Sequence, residues 1–166
     1  MTTLSILSLI ILAAYTIGMC LYLKKIPSSL SMTAFYLNYK QRILWFAAIW
    51  GATFLVAPAL IEKTSGMTQC LAFISAGSLL IVGACPLIPG NEEIDYKLHC
   101  IAAILCAVAS QLMLLLSDKW WLLLAWVPFI VYAVKKKDKW EQRTFWAEMV
   151  CFALIYIYVF MCVYKS

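Results

Sequence analysis

Long runs of apolar residues alternate with short polar breaks along the chain. Within the runs the apolar positions are continuous rather than spaced three and four apart, which is the pattern of helices solvated by lipid on most sides. Six runs stand out, at about 3–23, 43–61, 67–88, 98–117, 120–134 and 144–164. A helix needs ~20 apolar residues to cross bilayer hydrocarbon. The pattern therefore predicts an all-α polytopic transmembrane bundle of six helices, forming one integral membrane domain over residues 1–166. The fifth run is short, so its ends are expected to borrow Asp118 and Lys135, whose charged heads reach toward the headgroups. The first run has no basic residue before it and two lysines after it, the reverse of a secretory signal. It is expected to remain as an anchor.

The breaks between runs are short except the first, "KKIPSSLSMTAFYLNYKQR". Pro27 and the serines at 28, 29 and 31 predict a turn. The stretch "SLSMTAFYLNY" is too short to span and carries no charge, so it is expected to lie along the cytoplasmic surface of the membrane. Small residues four apart (Ala47 and Gly51, Ala48 and Ala52, Ala72 and Ala76, Ala103 and Ala107) mark close helix contacts. They predict a tight centre built from the second, third and fourth runs, or equally a face for a homo-oligomer.

Composition agrees with this reading: 65% of residues are hydrophobic and 13% charged, far from the balance of a soluble domain. The net charge of +5 sits at the ends of apolar runs rather than on a basic face, so nucleic acid is not an expected partner. Placing both termini outside puts ten of the thirteen Lys and Arg residues in cytoplasmic loops and three outside. That asymmetry is what positive-inside insertion requires; a bacterial inner membrane is the expected location. The seven cysteines form no CxxC pair, so neither a disulfide framework nor a metal site is expected.

Candidate chemistry collects in "GACPLIPGNEEIDYKLHC", residues 83–100, which holds the one histidine of the chain. Pro86 and Pro89 end a helix, and Gly90 and Asn91 reverse the chain. Asp95 and His99 are four apart and share a helix face. Glu148 lies one turn into the last run, again at the cytoplasmic end, and is expected to cluster with them. An ionisable residue inside a span is a functional candidate by default. Glu92 and Glu93 extend the group as ion or proton ligands, and Gln111 beside Ser110 is the deepest polar pair. Pro58 and Pro128 interrupt runs and are candidate kinks or hinges. Lys135, Lys136, Lys137, Lys139 and Arg143 form a basic loop suited to anionic lipid or a cytoplasmic protein partner. No HExxH, GxSxG, P-loop or GxGxxG occurs, so no cofactor is expected and an enzyme is a minority reading.

"GSLLIVGACPLIPGNEEIDYKLHCIAA" resembles DRAM-like six-helix membrane proteins, in which a Gly-rich helix ends in a proline turn and a histidine opens the next helix. "KKIPSSLSMTAFY" is similar to small uncharacterised polytopic membrane proteins of gut bacteria and their phages. The first resemblance implies six helices and marks His99; neither implies an activity. The leading expectation is an oligomeric channel, transport subunit or other membrane-permeability component. The alternatives are a structural or regulatory protein recruiting a partner or lipid through its basic loops, and a lipid-modifying enzyme using His99.

Overall fold

The computed structural model describes residues 1–88, 92–136 and 140–163, and of Glu92 only the backbone. Pro89, Gly90, Asn91, Lys137 and Lys139, with the Glu92 side chain, lie outside the described residues. The described residues form seven α-helices and no strand: α1 (Thr2–Leu23), α2 (Thr33–Tyr36), α3 (Arg42–Glu62), α4 (Gly66–Ala84), α5 (Glu92–Leu115), α6 (Trp126–Lys136) and α7 (Arg143–Val163). Among them α1, α3, α4, α5 and α7 are long and apolar enough to cross a membrane. They match five of the six expected runs to within a few residues.

The fifth run departs from a simple helix. Trp120–Ala125 winds as a 3-10 helix, and only the 11 residues of α6 are α-helical. Pro128 contributes at the junction: it has no amide to donate to the Leu124 carbonyl, so one rung of an α-helical ladder is missing there. The Trp126 amide instead reaches the carbonyls of Leu123 and Leu124. Pro128 thus sits in the first turn of α6, where a missing amide costs little. Pro58 lies inside α3, which continues through it to Glu62.

Two ends of the bundle can be distinguished by their contacts. At one, which we call the serine-loop end, the Phe145 amide at the start of α7 donates to the Ser28 carbonyl at 3.0 Å. There too His99 near the start of α5 meets Val82 near the end of α4. At the other, the Lys63 end, the Tyr158 hydroxyl late in α7 donates to the Lys63 carbonyl at 3.4 Å. Helices α5 and α7 therefore run in the same direction. The chain leaves α5 at the Lys63 end and enters α7 at the serine-loop end, so the segment between them travels the length of the bundle. On its way Trp126 Nε1 donates to Gln111 Oε1 at 2.9 Å.

Packing is closest between α4 and α5, α1 and α3, and α3 and α4, while α7 meets α1, α3 and α5 over shorter stretches. Of the small-residue pattern, Ala48, Ala52 and Ala72 are buried, so part of it is used between helices of one chain. Gly83 is the tightest point. A Cβ there would lie 2.8 Å from Trp50 Cδ1 and 3.0 Å from Ile49 Cγ2. The two tryptophans of α3 exploit this approach, Trp45 Nε1 donating to the Val82 carbonyl at 3.3 Å and Trp50 Nε1 to the Leu80 carbonyl at 2.8 Å. Trp45 is buried. Helix α7 also carries a polar tie: Ser8 donates its hydroxyl to the Ala52 carbonyl at 2.6 Å, which leaves Tyr156 as the donor to Ser8 at 2.5 Å. Buried Leu154, Tyr156, Tyr158 and Val159 make α7 part of the core, not a helix facing lipid alone.

Overpacking of this kind typically costs about 1–3 kcal/mol. Gly83→Ala is expected to lower the melting temperature of the purified protein in detergent, whereas Gly77→Ala, where nothing lies within 4 Å, should not lower it.

Candidate functional site

The first loop does not lie flat on a surface. Pro27, Leu30, Thr33, Ala34 and Leu37 are all buried, and the loop folds inward across one end of the bundle. An uncharged mixture of apolar and hydroxyl residues suits a headgroup layer and a protein interior equally, and here the helices supply the hydrogen-bond partners. Thr33 donates to the Leu30 carbonyl at 2.6 Å, and Tyr15 of α1 donates to Thr33 at 2.8 Å. Arg42 adds a brace: its guanidinium donates to the Leu37 and Pro86 carbonyls at 3.4 and 3.3 Å and lies over the Phe35 ring.

Glu148 is the anchor of this loop. Ser29 Oγ donates to Glu148 Oε1 at 2.8 Å, and the Leu30 amide donates to Oε2 at 2.5 Å. Ser31 stands 2.8 Å from Ser29 and extends the hydroxyl cluster. A carboxylate one turn into an apolar helix has no water of its own, so the loop takes the place of its hydration shell. All these donors are neutral. Among the described residues no Lys or Arg pairs with Glu148.

His99 is organised by a different deficiency. Pro86 stands four residues after Val82 and cannot donate to its carbonyl. That carbonyl is taken instead by Trp45 and by His99 Nδ1 at 3.1 Å. An acceptor opposite Nδ1 assigns the proton there. His99 is 2% exposed, and its Nε2 is buried with no hydrogen-bond partner among the described residues. Its ring meets Phe35 edge-on, with centroids 5.4 Å apart. Among the described residues, no hydrogen bond or ion pair joins His99 or Asp95 to Glu148, so the expected cluster separates into two places: His99 against α4, Glu148 against the loop. Asp95 is half-buried, and Glu93 is exposed and paired with Lys97 at 2.6 Å. No group of three or more His, Cys, Asp or Glu residues is placed to hold a metal among the described residues. Lys135, Lys136 and Arg143 are exposed.

Between α3, α4 and α5 on one side and α7 on the other lies a cavity of about 620 Å³. Leu30, Ser31 and Glu148 bound it at the serine-loop end; Gln111, Leu123 and Trp126 bound it toward the Lys63 end. Its remaining wall is almost entirely apolar. Ile104, Val108, Leu112 and Leu115 of α5 belong to that wall and are also exposed, so the cavity opens along α5. Several of the polar groups on the wall are occupied. Thr53 donates to the Ile49 carbonyl, Ser110 to the Ala107 carbonyl, and Gln111 bridges Ser110 and Trp126. Glu148 is the one carboxylate on the lining among the described residues.

Gln111 and Glu148, singled out by their depth in apolar runs, both belong to this cavity; His99 and Asp95 do not line it. Ser29, Leu30, Arg42 and Tyr156 were not marked as site residues by the sequence, and the partners of Glu148 lie 118 and 119 residues away along the chain. No known protein family, curated protein or solved structure matches the chain.

If Glu148 holds the loop, Glu148→Ala orphans a hydroxyl and an amide at a cost of about 1–3 kcal/mol. Hydrogen exchange measured by mass spectrometry should then show faster exchange across residues 28–31. Combining Glu148→Ala with Ser29→Ala should cost less than the sum of the single changes, since coupled pairs are non-additive.

Proposed function

We propose that the protein is a six-crossing transport or permeability component of a bacterial inner membrane, with both termini outside, and that its cavity holds lipophilic or amphipathic small molecules rather than a column of hydrated ions. The single observation that carries this reading is the cavity itself: about 620 Å³, within the range of sites that enclose a drug-sized ligand, and walled by side chains that offer too few polar groups to replace the water around an ion. An ion pathway needs rings of charge or carbonyl oxygens along its length. Here the polar groups are few, and most are spent on the protein's own backbone.

A sixth crossing is supported by the shared direction of α5 and α7. Five helices that cross a bilayer in this arrangement leave the segment between α5 and α7 to make the return passage. Six residues of 3-10 helix and 11 of α-helix reach about 28 Å in total, close to the ~30 Å of hydrocarbon. Such a passage puts Lys135, Lys136 and Arg143 at the same end as Lys24, Lys25, Lys40 and Arg42, with Lys63 and Lys119 opposite. That is the positive-inside arrangement with the serine-loop end in the cytoplasm. An oligomer and a cytoplasmic partner of the basic loop belong to the same proposal, as additions the cavity does not require.

Single cysteines placed at Asn38 and Lys135 in a cysteine-free chain should react with an impermeant maleimide from one side of the membrane, and one at Lys119 from the other. Labelling of positions 135 and 119 from the same side would remove the sixth crossing. For transport, proteoliposomes are expected to move at least one of a set of slowly permeating anionic, cationic and zwitterionic dyes several-fold faster than empty vesicles. Ala107→Phe, which projects into the cavity, should remove the gain. Potassium or chloride flux at channel rates without dye movement would defeat the reading.

A further inference from the structure

The chemical class of ligand follows from what Glu148 has and what it lacks. It has hydrogen bonds: the Ser29 hydroxyl and the Leu30 amide hold it in place. It lacks a countercharge, since no described Lys or Arg pairs with it. A carboxylate flanked by neutral donors still projects its field into a space of low polarity, where charge interactions are several times stronger than in water. That field enters the cavity, because Glu148 is part of the lining. Four aromatic residues, Trp45, Trp126, Phe152 and Tyr156, also belong to the lining, and a ring face turned to a ligand favours a cation. The one carboxylate on the described lining sets the sign.

We propose that the cavity is a binding site for lipophilic organic cations, with the apolar body of the ligand between α5 and α7 and its positive centre toward Glu148. This rests on the reading of the cavity as a ligand space and adds the sign of the charge. The site is also reachable. The exposed wall residues Ile104, Val108, Leu112 and Leu115 allow a ligand already dissolved in the lipid to enter sideways, without passing the loop that covers the serine-loop end. An amphipathic cation concentrates in that phase, so its local supply is high. Inorganic cations are excluded by the same wall, which offers one carboxylate and no further ligands, too few to replace a hydration shell.

Two probes of matched shape and opposite charge test this: tetraphenylphosphonium and tetraphenylborate. Binding to the purified full-length protein in detergent is read by calorimetry against protein-free micelles, with the summed tryptophan fluorescence as a second readout. The phosphonium is expected to bind at least tenfold more tightly than the borate. Glu148→Gln should lower phosphonium affinity at least tenfold and leave borate affinity unchanged or higher, with Glu148→Asp retaining most of the preference. Because Glu148→Gln also weakens the loop, its fold is checked by thermal melting, and Ala107→Phe serves as a second variant that should weaken both probes. Equal affinities in the wild type, or a folded Glu148→Gln with unchanged preference, overturn the proposal. If Ala107→Phe still weakens both probes in that case, only the charge class falls and the ligand cavity stands. Absence of binding, or binding indifferent to Ala107→Phe, overturns this inference together with the cavity reading beneath it.

Discussion

A carboxylate placed inside an apolar helix must be solvated by the chain that carries it. In α7 that requirement falls on Glu148, and the serine loop meets it with a hydroxyl and a backbone amide. The consequences spread from that contact. The loop is drawn off the surface and into the end of the bundle; its apolar residues Leu30, Ala34 and Leu37 become core; and α7, which meets the other helices over short stretches, is tied at its first turn. The same contact gives the cavity a closed end with one carboxyl group on it. Each of these would relax if the carboxylate were replaced by an apolar side chain, since the loop would then hold unpaired donors away from water.

The second organising device is also a missing partner. Proline at 86 withdraws the amide that the Val82 carbonyl would have used, and Trp45 and His99 converge on that carbonyl. Arg42 bonds to the carbonyls of Leu37 and Pro86 in the same region. A helix end buried among helices cannot leave acceptors bare, so the side chains with N–H donors gather where the prolines are. His99 is thereby accounted for as a structural donor through Nδ1, while its Nε2 carries a lone pair that nothing in the described residues engages.

Much of the architecture was legible because hydrophobicity over about twenty residues is a property of each segment alone. Five helices follow from it directly. The fifth apolar run was harder: Trp120–Ala125 winds as 3-10 helix and Pro128 removes a bond at the junction, while the apolar pattern runs on unchanged. The serine loop was misplaced for a different reason, since burial of an uncharged polar segment depends on a partner far away in sequence. Glu148 and Gln111 were recognisable as polar residues too deep to be incidental, and both line the cavity. The bond from Tyr156 to Ser8 was not recognisable, because a serine and a tyrosine are ordinary in helices until they meet. Of the expected grouping of Asp95, His99 and Glu148, the hydrogen bonds show His99 held by Val82 and Glu148 by the serine loop.

The account stands on the cavity being an apolar space open to lipid, not a water-filled pore. Power-saturation EPR of a nitroxide at Ala107, in protein reconstituted into bilayers, tests this directly. The account predicts high accessibility to dissolved oxygen and low accessibility to a polar nickel chelate, in contrast to a label at Asn38. Chelate accessibility at position 107 as high as at position 38 would mean that water fills the cavity, and would contradict it.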